Sequence, residues 1–289
     1  MRQKRGRHRA EKIALTDDAP FIPIREFLPA LRPEVLEENR HWLQPHSLDA
    51  NDMVILCFQS YVVRTPHHTI LVDSCVGNDK PRRRSQWNLK SEGTYMQSLA
   101  RAGLSVEDID YVMCTHLHDD HVGWNTRRVN GEWVPTFPNA RYIFHERELE
   151  GTRRQHALQP QAWACYEDSV VPILQQGRAD IVRDGFEVGD HVRLLPTPGH
   201  TDGHVAVCFG KKRDEAVVTG DLVHLPLQLR YPELLSYFGD RDPALGARTR
   251  RDFLERYCDT PTLCCTAHFP SPSAGHLSRW GDGYRINYD

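Results

Sequence analysis

The sequence predicts an α/β protein, and two observations carry that expectation. Short runs rich in Val, Ile and aromatic residues recur across residues 53–266, parted by stretches of helical composition. They fall into two blocks, each followed by helices, which fits sheets covered by helices. Four of the runs also end on a His or an Asp, which is how strands of one sheet deliver ligands to one edge. At 289 residues the chain can bury a sizeable core. One domain over residues 21–289 is expected, because those His and Asp tips must converge.

The chain opens with the basic run Met1-Arg2-Gln3-Lys4-Arg5 in a polar stretch, residues 1–20, expected to be a loosely ordered tail. It lacks the apolar segment of a secretory signal. The proline-rich residues 21–33 read as irregular chain packed on the surface, and residues 34–43 as a helix anchored by Trp42. Residues 53–58 and 60–63 read as strand, Pro66-His67-His68 as a turn, and residues 69–73 as the returning strand, ended by Asp73. Pro81-Arg82-Arg83-Arg84 reads as a solvated positive loop. Thr94 is placed to cap a helix that Gly103 ends. Residues 141–144 form a predicted strand, and residues 146–178 are mostly helical. Strands follow over 181–195, 204–209 and 216–218, then a helix over 243–257 with Asp242 as N-cap, and a last core strand over 262–266.

Charge and composition narrow the class. A net charge of −3 gives no global field that favours nucleic acid or an anionic membrane. No apolar run approaches the ~20 residues that a membrane span needs. Eight Cys occur without a C-x-x-C pair, mostly in apolar runs, and read as reduced core thiols of a cytoplasmic protein.

The densest chemistry is Thr115-His116-Leu117-His118-Asp119-Asp120-His121, directly after the apolar run 109–114. Side chains two apart on an extended strand end point the same way, so His116 and His118 can grip one ion together. A bend in the chain then turns Asp120 and His121 toward a second ion. Pro198-Gly199-His200 follows the run 192–195, Thr219-Gly220-Asp221 follows 215–218, and Ala267-His268 follows 262–266.

In this order, His116-x-His118-x-Asp120-His121 … His200 … Asp221 … His268 resembles the binuclear pattern of the metallo-β-lactamase superfamily over residues 53–277. The resemblance implies an αββα four-layer fold, with two mixed β-sheets packed face to face and helices outside. It implies that His116, His118 and His200 hold one metal, that Asp120, His121 and His268 hold the other, and that Asp221 bridges them. Gly123-Trp124-Asn125, Gly220-Asp221-Leu222-Val223-His224-Leu225-Pro226 and His268-Phe269-Pro270 look most like the branch of homoserine-lactone lactonases and methyl parathion hydrolase relatives. That branch implies hydrolysis of a lactone, carboxylic ester or phosphotriester by a metal-bridging hydroxide, with Asp120 orienting the nucleophile and accepting its proton. A donor set of N and O without thiolate makes Zn2+ the default, with Mn, Fe or Co also compatible.

Two alternatives keep the fold. A glyoxalase-II-like thioesterase shares the seven ligands, and a β-lactam hydrolase is the other, although zinc β-lactamases generally lack the carboxylate that Asp221 provides. A redox di-iron relative typically has Glu where His118 stands. Trp124, His224, Phe269 and His276 are candidate pocket residues. Asp73, Thr115, Thr201, Asp202 and His204 are candidates for fixing imidazole tautomers. The expected partner is a small-molecule substrate, with a second copy of the chain as a candidate dimer partner and no nucleic acid or membrane.

Overall fold

The computed structural model describes residues 9–14, 19–237 and 239–288. The described residues form two compact units: the first holds residues 9–14 and 59–182, the second the described residues of 19–58 and 183–288.

A six-stranded mixed sheet organises the first unit. Its order is Arg9–Ala14, Gln59–Arg64, Thr69–Val72, Tyr111–Met113, Arg141–His145 and Ala179–Val182. The first three strands alternate in direction; Thr69–Val72 and those after it run parallel. Parallel strands are covered on both faces, which is why Ile70–Val72 and Tyr142–His145 are buried without a break. Leu71, Val112, Tyr142 and Phe144 pack there with Leu99 and Ile173. Strand Arg9–Ala14 corrects the expectation of a loose tail over these residues. The edge of Gln59–Arg64 carries N–H and C=O groups that need partners, and six residues of antiparallel register supply them. The other tail residues, 1–8 and 15–18, lie outside the described residues. Helix Thr94–Arg101 has Gly93 rather than Thr94 at its N-cap.

Arg82 is a second correction. The reading of residues 81–84 as a solvated loop fails at this residue, whose side chain is buried and forks onto Asp168 at 2.7 and 2.9 Å. Lys80 is buried beside it, donating to Thr126 Oγ1 at 2.8 Å and lying 3.7 Å over the Trp133 ring. Burial pushes the Lys80 ammonium down to about 8, while Asp168 favours its charged form. Burial also acts on the Asp168 carboxyl, but Arg82 and Lys80 hold it below the usual carboxylate range. One carboxylate therefore answers two buried cations.

The second unit is built on a seven-stranded sheet in the order Glu187–Val188, Val192–Pro196, Val205–Phe209, Ala216–Val218, Leu263–Cys265, Ala274–Trp280 and Gly283–Asn287. All pairs are antiparallel except Ala216–Val218 with Leu263–Cys265. Residues expected to be irregular form strand Ala19–Pro23, paired with Met53–Leu56, and helix Ile24–Phe27. Helix Pro33–Leu43 begins on a proline, which has no N–H to leave unbonded. Helix Pro243–Tyr257 is capped as the sequence predicts, Asp242 accepting the Leu245 N–H at 2.9 Å. It packs Phe253, Leu254 and Tyr257 on Val217, Cys264 and Leu277. Seven of the eight Cys are buried, and none is joined in a disulfide. Among the described residues, no helix is long and apolar enough to cross a membrane.

Asp168→Asn removes the charge that both buried cations share, and is expected to destabilise the chain by about 3–5 kcal/mol. Urea unfolding measures this, and a loss below about 1 kcal/mol would show that the pair behaves as an exposed one.

Candidate metal centre

In the first unit, parallel strands deliver the chemistry at their C-terminal ends. Thr69–Val72 ends on Asp73, Tyr111–Met113 runs into Thr115–Asp120, and Arg141–His145 runs into helix Glu146–Leu158, which carries Glu148. Asp73 is 2 % exposed and sits in the left-handed region at φ 58°. Its carboxylate accepts the Thr115 N–H at 2.7 Å, the Thr115 hydroxyl at 2.8 Å and His121 Nδ1 at 2.9 Å. Since the Thr115 hydroxyl proton goes to Asp73, its oxygen is left to accept from His116 Nδ1 at 3.2 Å. Both rings therefore carry their proton on Nδ1 and turn an Nε2 lone pair the other way. His116 Nε2 lies 3.0 Å from His118 Nδ1, and the His116 and His121 ring centroids are 4.0 Å apart. Asp120 Oδ2 is 3.8 Å from His121 Nε2, and the Trp163 ring lies 5.1 Å from that of His118.

Three further groups fix this loop. Glu148 accepts the Leu117 N–H at 3.0 Å, and Arg82 Nε lies 3.4 Å from Asp119. At Gly123 the chain passes backbone to backbone over Val76; a Cβ there would come within 1.9 Å of the Val76 carbonyl carbon.

In the second unit the strand directions bring His200, His204, Asp221 and His268 to one edge of the sheet. Val192–Pro196 and Leu263–Cys265 end there, Val205–Phe209 starts there, and Ala216–Val218 ends there. Gly199 presses on helix Pro243–Tyr257 at φ 136°, where an added Cβ would lie 2.3 Å from the Gly246 Cα. Asp221 is 3 % exposed and is ringed by imidazoles. His268 Nε2 lies 2.9 Å from its Oδ1, while His224 Nε2 at 3.0 Å and His200 Nε2 at 3.4 Å face its Oδ2. His268 donates Nδ1–H to the Cys57 carbonyl at 3.0 Å, which again turns Nε2 forward. His204 has the same tautomer for another purpose. Its Nε2 accepts the Asp221 N–H at 3.0 Å, so its Nδ1–H goes to Thr197 Oγ1 at 2.8 Å. Behind His200, Asp240 Oδ1 lies 3.6 Å from Nδ1, with Arg250 donating to the other Asp240 oxygen at 2.8 Å. Burial pushes His224 below the ordinary imidazole value, so this fully buried ring is neutral near pH 7.

The donors fit divalent ions. His116, His121 and His268 each turn a basic Nε2 away from an acceptor-bound Nδ1, and carboxylates stand beside them. The ligand atoms of Asp221, His224 and His268 lie within 4.8 Å of one another.

Of the candidate pocket residues, Phe269 is fully buried in the core of the second unit. Trp124 belongs to the core of the first, stacked on Tyr95 at 5.3 Å, because the turn after the metal loop folds inward. His276 lies in strand Ala274–Trp280, bonded through Nδ1 to the Thr262 carbonyl, and His224 joins the imidazoles instead. Of the expected tautomer-fixing residues, Asp73 and Thr115 take that part, His204 holds the Asp221 N–H instead, and Asp202 pairs with Arg241. Glu148, Asp240 and Arg250 are not singled out by the sequence. Asp240 reads as a turn residue in Gly239-Asp240-Arg241-Asp242, and nothing local marks its partner ten positions on.

Comparisons with known proteins identify the family. A model of the Metallo-beta-lactamase superfamily matches residues 59–266. An N-acyl homoserine lactonase of Bacillus sp is 26% identical over 178 residues, 58% of this chain and 62% of that protein. The chain thus spans about three fifths of that relative's length. The solved structure of AidC, a dizinc quorum-quenching lactonase in complex with a product, shares the fold with a TM-score of 0.76 and 20% identity, covering 97% of this chain and 94% of that one. The hydrolase AbOPH aligns with a TM-score of 0.77 at 22% identity, over 97% and 95% of the two chains.

Asp73→Ala is expected to weaken zinc binding by about 10–100-fold with unchanged far-UV circular dichroism, because His121 loses its acceptor and Thr115 loses the one that turns its oxygen to His116. Zinc titration by calorimetry checks this. Asp240 supplies a pH dependence. Burial acts to raise its carboxyl, but His200 and Arg250 hold it down at about 2, against the ordinary 3.8. A lowered carboxylate stabilises the fold above the unfolded value and loses that contribution as the pH falls. The metal-free chain should therefore lose about 2 kcal/mol between about pH 4 and pH 2, and Asp240→Asn should lack this part of the acid transition in urea melts.

Proposed function

Because the chain belongs to the Metallo-beta-lactamase superfamily, we propose that residues 21–289 act as one metal-dependent hydrolase domain that opens a lactone. In this reading the donors of the two units act together. His116, His118 and His200 hold one divalent ion, Asp120, His121 and His268 hold a second, and Asp221 serves both. What carries the reading is the ordered set of seven donors, with the Nδ1 atoms of His116, His121 and His268 each turned to an acceptor. Zn2+ suits three-imidazole sets with carboxylate, and Mn, Fe or Co meet the same donors. When bound, such ions would acidify a water molecule and polarise a carbonyl oxygen.

The side chains supply the rest. Asp120 is buried beside His121, and its carboxylate would orient a water molecule and take up its proton. Asp73 holds His121 and, through Thr115, His116. His204 fixes the backbone of Asp221 through the peptide N–H. Trp163 covers one side of His118 with an apolar ring and so restricts water there. The choice of a lactone rests on the N-acyl homoserine lactonases among the relatives. Carboxylic esters and phosphotriesters demand the same attack on a polarised centre, and thioesters differ only in the leaving group.

The experiment is a turnover panel on zinc-loaded protein with N-acyl homoserine lactones, aryl esters, a phosphotriester and a thioester. Lactone opening, read as acid release and abolished reversibly by a chelator, is the expected result. His118→Ala and Asp221→Asn should each lower kcat/KM by at least about 100-fold and leave less than two equivalents of bound metal. Absence of turnover on every substrate, or full metal content with full activity in either variant, would overturn the proposal.

A further inference from the structure

The ordered ligand pattern uses three donors from the second unit, His200, Asp221 and His268, yet the structure gathers four. We infer that His224 is a further metal-binding residue, and that His200, Asp221, His224 and His268 form a set able to retain one divalent cation with no donor from residues 59–182. The inference rests on the metal-binding reading above and is independent of the lactone.

Four observations lead there. His224 Nε2 faces Asp221 Oδ2 at 3.0 Å, the same oxygen that His200 faces at 3.4 Å. The His224 ring lies parallel to that of His268, 11° apart in plane with centroids at 5.3 Å, and crosses that of His200 at 5.2 Å. Its position is fixed from behind: Gln228 Oε1 accepts the His224 N–H at 2.7 Å, and the Phe27 ring stands edge-on at 6.2 Å. The ligand atoms of Asp221, His224 and His268 fall within one 4.8 Å group without His200. Three buried imidazoles and a carboxylate make a four-donor set of the type zinc prefers.

A histidine that merely supports a ligand stands behind it and points at it alone. His224 instead stands beside both neighbouring rings, and its Nε2 meets the carboxylate as theirs do. Magnitude separates the two roles. Loss of an outer partner weakens metal binding by about 10–100-fold, and loss of a ligand costs more.

The test uses the full chain. In His116→Ala/His118→Ala/His121→Ala, and again with Asp120→Ala added, the first unit has lost the imidazoles assigned to metal, and the protein should still retain about one equivalent of zinc after dialysis, with a cobalt(II) visible band. Adding His224→Leu should raise the zinc dissociation constant by more than about 100-fold and change that band. Circular dichroism monitors folding, and His224→Gln carries the test if the Leu variant does not fold. Gln keeps an N–H for Asp221 but offers no imidazole, so zinc loss in it supports ligation. Zinc retained by the Gln variant, a weakening within 10–100-fold, an unchanged cobalt band, or a triple variant that holds no zinc would each overturn the inference. Wild-type protein that binds no metal would instead sink the proposed function, whereas two equivalents in wild type with none in the triple variant would fail only this inference.

Discussion

A carboxylate behind an imidazole is the constraint on which the site of the first unit depends. Asp73 is buried, and a buried charge persists only when donors surround it. It finds three, the Thr115 N–H, the Thr115 hydroxyl and His121 Nδ1. Each of these bonds also decides something about the site. The peptide bond fixes where the loop leaves its strand, the hydroxyl bond turns a lone pair to His116, and the imidazole bond settles the His121 tautomer. The left-handed backbone at Asp73 is the cost, about 1–2 kcal/mol, and Asp tolerates that region better than most residues. The parallel sheet makes the arrangement available, since neighbouring parallel strands end on the same side.

The second unit reaches an equivalent result with mixed directions. Its donors stand on loops at one edge because Val192–Pro196 and the parallel pair Ala216–Val218 and Leu263–Cys265 end there and Val205–Phe209 begins there. Asp221 occupies the centre, with its carboxylate facing three imidazoles and its peptide N–H held by a fourth, His204. Arg250, fully buried, ties Asp240 to the Leu222 and Pro232 carbonyls and so steadies the carboxylate behind His200. Packing of this kind leaves no room for side chains where the backbone must pass close, which is why Gly199 precedes His200.

Where reading the sequence succeeds and fails follows from the range of the forces involved. The strand runs, the Asp242 cap and the family's ordered His and Asp pattern are legible because periodicity, capping and motif spacing are written within a few residues. Arg82 was misread because Pro81-Arg82-Arg83-Arg84 gives no local sign that Asp168, 86 positions on, buries one of its three arginines. Trp124 and Phe269 looked like pocket residues beside their ligands, but neighbours in sequence alternate between the site and the core. Strand Arg9–Ala14 was missed since its partner, Gln59–Arg64, is remote in sequence and supplies the order.

By itself, then, the amino-acid order determined which His and Asp residues follow the family pattern and that they stand at strand ends, because residue type and short spacing are local properties. Only the tertiary structure decided which nitrogen of each ring carries its proton, which carboxylate stands behind which imidazole, and that His224 joins Asp221 instead of a substrate pocket. Those depend on groups tens to hundreds of positions apart, such as Cys57 and His268, that meet only when burial forces every polar atom to find a partner.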